Sequence, residues 1–381
     1  MCLTVRRALF VDNLLPGAQC PLTRPPEGWN MRPRNCGEIF MFKPVIFATA
    51  SLIALSGAAF AKDTMPAYPR FAVQPGLRPN VHKATALPTW TFQWTYSGRN
   101  YSAIFVGANP SSATSTTIPV EIIPVIMKVG TTTENPKKKV GGVSVIDRVL
   151  ASPIFDSTTS YTQGGTAIGA TQYEDAFQKA ALWGIGGSAS GYHVLLGTPK
   201  VEKAIKLTGQ SVGTEFGIKV ILANINTFDN AIQSTIAKLP ANSLPIFVTT
   251  QTYLTSGGCC IGGYHSYTGT QAYSMFTYIQ NTGNTTVFSQ DVSAMSHEIG
   301  EWMDDPETNN SVACGIYEVG DPLEGGQPGH PYGTWTYALG GFTYHLQDLV
   351  LPPYFGATPS TSINSWSTFQ GYTIGVCSNG G

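Results

Sequence analysis

"SAMSHEIGEWMDDPE", residues 293–307, packs one His and several acids among Met295, Ile299, Trp302 and Met303. A helix over Asp291–Met303 places successive residues 100° apart, so Val292, Met295, Ile299, Trp302 and Met303 share one face. His297 and Glu301, four apart, then lie about 40° from each other on the opposite face. Ser289 or Asp291 is the expected cap, and Asp305-Pro306 the expected end. Gly300 clears a flank for another chain segment. The pattern is that of an H-E-x-x-H helix with Glu301 in place of the second His. Two ligands one turn apart suit a divalent ion, and Glu298 between them is the expected proton acceptor. A third ligand is expected from "YEVGD" (residues 317–321), Glu318 first and Asp321 second, the latter also placed to orient His297. Zinc is expected from the likeness to that helix, and because one imidazole and two carboxylates form a harder, anionic donor set, Mn²⁺ or Ca²⁺ are alternatives. The plainer reading is a surface His–Glu pair at i,i+4.

Around this stretch the chain is short of charge. Of 381 residues, 42% are hydrophobic and only 12% charged, with a net charge of −1. That excludes a disordered chain and gives nucleic acid no basic face to bind. Lys137 to Lys139 is a triplet and reads as a solvated loop. "MFKPVIFATASLIALSGAAFAKD" (residues 41–63) has a basic start, a short apolar run and an Ala-Phe-Ala end, which predicts a signal peptide over 41–61. Residues 1–40 then read as a spurious extension before the true start at Met41. Four cysteines follow the leader: Cys259, Cys260, Cys314 and Cys377. An even number in an exported chain predicts disulfides. A bond between neighbouring cysteines closes a strained eight-membered ring, so bonds from Cys259 and Cys260 to Cys314 and Cys377 are expected.

Residues 62–90 are Pro-rich and read as an extended arm. "TWTFQWTYSGRNYSAIFVG" alternates about a Ser-Gly turn and predicts a hairpin. "TTIPVEIIPVIMKV" reads as a strand made edge or interrupted by its prolines. "TQYEDAFQKAALW" (residues 171–183) predicts an amphipathic helix ended by Gly184. "GIKVILANI", "FDNAIQSTIAKL" and "LPIFVTTQTYL" predict a strand–helix–strand unit. Periodicity fades after Pro306, where many Gly, Pro and aromatic residues suggest short strands and long ordered loops. The expected fold is mixed α/β or α+β: residues 91–381 as one domain of two lobes, a mixed sheet with the motif helix, and a loop-rich C-terminal part.

"MSHEIGEWMDDP" followed by "YEVGD" resembles a group of secreted bacterial metallopeptidases with a Ser-His-Glu-x-x-Glu-x-x-x-[Asp/Asn]-Pro motif. The plant phosphate-induced (exordium-like) proteins are similar in this respect. "SPIFDSTTSY", "GATQYEDAFQKAALW", "YHVLL" and "CCIGGYHSYTG" also resemble the bacterial group, so the likeness covers most of residues 100–325. It implies a zincin-like fold, with His297, Glu301 and an acid of "YEVGD" on the metal and Glu298 as base. The chain departs from the group in that Cys314 precedes the acidic element instead of following it.

His265 in "CCIGGYHSYTG" reads as a loop or core histidine. If the cysteines hold its loop beside the motif helix, it is placed to bind the metal or an oxyanion. His193 reads as structural, and His330 and His345 are weaker ligand candidates. The aromatics of 332–372 suit either a substrate groove or a core. The leading expectation is a secreted or periplasmic zinc peptidase acting on protein, peptide or cell-wall material, with no membrane contact after leader removal. Glycoside hydrolysis by paired carboxylates, and glycan binding without catalysis, are the alternatives.

Overall fold

The computed structural model describes residues 86–280, 288–323, 333–358 and 360–378. The expected leader, the segment before it and most of the Pro-rich arm lie outside the described residues. The architecture is mixed α+β, with several sheets and few helices.

β1 (Thr89–Tyr96) and β2 (Arg99–Val106) form the expected antiparallel hairpin. Ser97 and Gly98 turn it at φ 49° and 74°, the left-handed pair that a two-residue hairpin loop requires. β3 (Ser115–Ile118), β4 (Val120–Val129) and β5 (Thr132–Glu134) follow, then α1 (Val145–Leu150) and the hairpin β6 (Ser160–Gln163) and β7 (Thr166–Ala170). Pro119 interrupts the chain between β3 and β4, as its missing N–H dictates. The edge expectation fails at Pro124, because β4 is an interior strand. Its ladder with β13 (Leu244–Thr250) ends at Pro124, and the one with β10 (Ile205–Thr208) begins at Val125. The ring therefore sits at the end of one ladder and just ahead of the other, on the opposite edge of β4.

α2 (Tyr173–Ala181) is followed by β8 (His193–Leu196) and β9 (Lys200–Val201). Beyond β10 come β11 (Ser211–Glu215), β12 (Ile218–Asn224) and α3 (Ile225–Ile236). The strand–helix–strand unit is present, with one correction. Its last strand breaks at Gln251 (φ 46°), so β13 enters the main sheet while β14 (Thr252–Thr255) lies parallel to β12 in another. Then come β15 (Cys259–Ile261), β16 (Gly263–Tyr267), β17 (Ala272–Tyr278) and α4 (Ser293–Asp304). The C-terminal part adds β18 (Ser311–Val312), β19 (Gly315–Ile316) and a hairpin of β20 (Thr334–Leu339) and β21 (Phe342–Gln347). That last hairpin supplies short strands of the kind expected in the C-terminal part.

The main sheet runs β10-β4-β13-β17-β16, with β5 and β9 also on β4. β4, β13 and β17 are parallel, and β16 closes one end antiparallel to β17. β13 and β17 are buried at every residue, the mark of a strand covered on both faces. One face, with Ile123, Phe247 and Met275, packs on Phe228, Ile232 and Ile236 of α3. The other, with Ile122, Ile246, Val248 and Phe276, shares a core with Met295, Ile299, Trp302 and Met303 of α4.

α2 carries the expected apolar stripe, but its polar side is enclosed as well, since all nine of its residues are buried. Its polar groups are engaged inside the molecule: Asp175 accepts from Thr171 and the Val194 N–H, and Lys179 donates to the carbonyls of Ala189 and Tyr192. The expected disulfide pairing is also corrected. Cys314 and Cys377, with Cα atoms 5.1 Å apart, are bonded to each other, which leaves Cys259 and Cys260 to bond as neighbours. Among the described residues no helix is long and apolar enough to cross a membrane.

Candidate metal centre

α4 covers Ser293–Asp304 and starts two residues later than expected. Asp291 does not cap it: its carboxylate accepts from the N–H groups of Val292 and His345 and lies 2.6 Å from His345 Nδ1. That occupies His345 away from the motif, while His330 lies outside the described residues. Every residue of α4 is buried, so His297 and Glu301 are not a surface pair. The helix lies across β16 and β17 and against β21 and β2, which encloses the side expected to be open.

Strand alternation brings His265 here. On β16 Tyr264 points into the α3-side core, so by the two-residue period Gly263 and His265 face α4. His265 is therefore a strand residue, not a loop one, and it is fully buried. Its Nδ1 lies 3.3 Å from Glu298 Oε2 and 3.5 Å from Glu301 Oε2, and its Nε2 lies 4.0 Å from Glu318 Oε1. His297 Nε2 lies 2.9 Å from Glu301 Oε1 and 3.5 Å from Asp321 Oδ1. Two compact donor groups result: His265, Glu298 and Glu301, and His297, Glu301 and Asp321. The geometry thus puts Asp321, the second choice for third ligand, in the His297 group. Glu318, the first choice, stands on the His265 side. Each Glu301 oxygen faces one histidine, and Oε1 also accepts from the N–H groups of Gly320 and Asp321.

The turn after α4 returns "YEVGD" to the helix. Asp305 accepts from the N–H groups of Asn309 and Asn310, with Thr308 between them at φ 53°. Three glycines allow the approaches. A Cβ on Gly320 would overlap the His297 ring, one on Gly263 would sit 2.6 Å from Glu298 Oε1, and one on Gly300 would meet Leu349. Only the role of Gly300 was readable beforehand. A glycine flanking a motif across the chain gives no local signal.

The electrostatics are those of crowded acids with few cations. Burial, reinforced by the charges of Glu301, Asp321 and Asp305, pushes the Glu318 carboxyl well above the usual range. Burial also lifts Glu298 to about 7, against the pull of its His265 hydrogen bond. Burial opposes charge on Glu301 as well, but His297 and His265 outweigh it and hold that carboxyl low. Burial lowers His265, yet its bonds to Glu298 and Glu301 win and raise it to about 10.

The donors suit a divalent ion. His265 Nε2, Glu298 Oε1 and both Glu318 oxygens are buried and have no hydrogen-bond partner among the described residues. Each such atom costs about 1–3 kcal/mol unless something satisfies it. The third compact group, Glu215 with Cys259 and Cys260, has its sulfurs in a disulfide. Access is from one side, where the Asp321 side chain is 41% exposed. There a cleft of about 320 Å³ is lined by Glu318, Asp321, Pro322, Ile316, Tyr354 and Phe355. Other aromatics of 332–372 pack on the core: partly buried Trp335 stacks on buried Phe369 at 5.2 Å and on Tyr337 at 5.7 Å. His193, 2.8 Å from Asp175, ties β8 to α2.

No family model, curated protein or solved structure matches the chain.

Proposed function

We propose that this chain is a divalent-metal-dependent hydrolase of peptidase type, zincin-like in its use of the α4 motif, with zinc as its ion. The observation that carries the reading is the His297–Glu301–Asp321 group, held by a buried helix and open to a cleft through Asp321 alone. An ion there supplies Lewis acidity toward a substrate carbonyl and acidifies a water. The chain's own work is to hold the donors still. Gly320 and Asp321 fix Glu301 Oε1 through their N–H groups, and Gly320 abuts the His297 ring.

Tyr354, Phe355 and Ile316 give the cleft an apolar wall beside acids, which suits an extended peptide with an apolar side chain next to the cleaved bond. Protein or peptide, cell-wall peptide included, is the proposed substrate class. The two disulfides fit work outside the reducing cytosol, in keeping with the signal-peptide reading. Glycoside hydrolysis needs two carboxyls flanking an open sugar position, whereas Glu298 is fully buried against His265.

The test is turnover of a denatured protein and a peptide library by the zinc-loaded mature chain. Cleavage should vanish with a chelator, return with zinc, and be absent in His297→Ala together with the ion of the His297 group. Zinc-loaded protein that cuts no peptide, or His297→Ala that cuts as well as the parent, would sink the reading.

A further inference from the structure

Glu298 is the motif's expected base, yet its carboxylate is directed to His265. Oε2 lies 3.3 Å from His265 Nδ1, which is itself 3.5 Å from Glu301 Oε2. A charge-assisted N–H···O bond is shorter, about 2.7–2.9 Å. Two donors on one tetrahedral zinc, each at its usual bond length, are separated by about 3.4 Å. The His265 group has that spacing already. It is also a separate position, because the histidine donors fall into two compact groups that share only Glu301. Glu301 offers Oε1 to one group and Oε2 to the other, as a bridging carboxylate does.

Charge points the same way. Glu298, Glu301, Glu318 and Asp321 crowd around two imidazoles, and Lys and Arg are absent from every ion pair recorded at the centre among the described residues. Ligating histidines are neutral, and Glu298 and Glu301 are both buried beside His265, so an ion in the His297 group alone leaves the Glu298 carboxylate buried without a cation of its own, at high cost. A divalent ion on the His265 side compensates it. Glu298 Oε1, the buried second oxygen of the same carboxylate, has no hydrogen-bond partner among the described residues, so the protein alone does not satisfy the Glu298 side chain. The backbone is built to bring this side in too, for Gly263 gives up a side chain to Glu298 as Gly320 does to His297.

We propose that the centre is dinuclear, with a second divalent ion held by His265, Glu298 and the Oε2 side of Glu301. The inference rests on the metal-hydrolase reading and deepens it. Glu298 becomes a ligand, and a pair of ions held this way would polarise the scissile carbonyl and lower the pKa of the attacking water.

The test is zinc stoichiometry by elemental analysis and calorimetric titration of the metal-stripped mature chain. The parent should take two ions, while Glu298→Gln and His297→Ala should each take one, with circular dichroism matching the parent. Cobalt substitution gives a second readout, since the two ions should be magnetically coupled in the parent and uncoupled in Glu298→Gln. A parent that saturates at one ion lost in His297→Ala overturns the second site and leaves the hydrolase reading standing. Glu298→Gln that keeps two ions also overturns it and returns Glu298 to the role of base. A parent that binds no ion overturns both readings.

Discussion

Asp348 is the clearest single residue whose burial sets a pH dependence away from the centre. It is fully buried, Oδ1 accepts from the N–H groups of Leu349 and Gln370, and Oδ2 has no hydrogen-bond partner among the described residues. Burial raises its carboxyl to about 8 over the pull of those bonds, against about 3.9 in an unfolded chain. A raised folded value means that the folded state binds the proton more tightly. The contribution to stability is therefore full below about pH 4 and is lost as pH rises toward 8. Asp348→Asn keeps the Oδ1 acceptor and removes the titration. Relative to it, the parent should lose stability between pH 4 and 8, on the order of 5 kcal/mol at most. Parallel stability–pH curves from urea melts would contradict this. At the same scale, His297, Glu298 and Glu301 were legible because helix spacing alone sets them side by side. His265 reads from sequence only as a loop or core histidine with a conditional place at the metal, since its position depends on strand pairing across β16 and β17. Gly263 and Gly320 were not legible at all, because what they avoid lies far away in the chain.

At the scale of elements, α4 matters through its ends. Asn310 ties its C-terminal end to the first hairpin: Oδ1 accepts from the Ile104 N–H, and Nδ2 donates to the carbonyls of Ile104 and Asp304. The side chain is buried and makes three long-range or turn-closing bonds at once. Asn310→Ala should cost about 3 kcal/mol, three bonds at roughly 1 kcal/mol each. It should also weaken zinc binding, because the segment carrying Glu318 and Asp321 leaves from this turn. A loss below about 0.5 kcal/mol in chemical denaturation would show that water replaces these bonds freely. α4 was readable from a 3.6-residue period, as was α2. What the period could not show was that the polar sides of both helices are enclosed. Gln178 meets Asp304 only once α4 packs beside it, while Asp175 and Lys179 take most of their partners from the segment just after α2. Likewise the alternation of β1 and β2 was plain, while the Gly340-Gly341 turn of β20 and β21, both at positive φ, was a hairpin signal passed over among many glycines.

Across the whole molecule, order in the main sheet comes from pairings distant in sequence, β4 with β13 and β13 with β17, and no local pattern names such partners. The disulfides were hidden for the same reason, since a pairing depends on which segments meet. Cys314 and Cys377 close a separation of 63 residues. The loop includes Glu318 and Asp321, the β20–β21 hairpin and the Tyr354–Phe355 wall of the cleft. Loop closure of that length stabilises by about 4 kcal/mol on chain entropy, through the unfolded state. The Cys314→Ser, Cys377→Ser double variant should lose up to that amount in urea melts, while the same melts of a Cys259→Ser, Cys260→Ser variant should change less, because a bond between neighbours closes almost no loop. Since Cys314 also lines the cleft, the first variant should bind peptide more weakly than its zinc content alone accounts for. Equal losses in the two pairs of variants would show that packing, not the cross-link, holds the C-terminal segments over the centre.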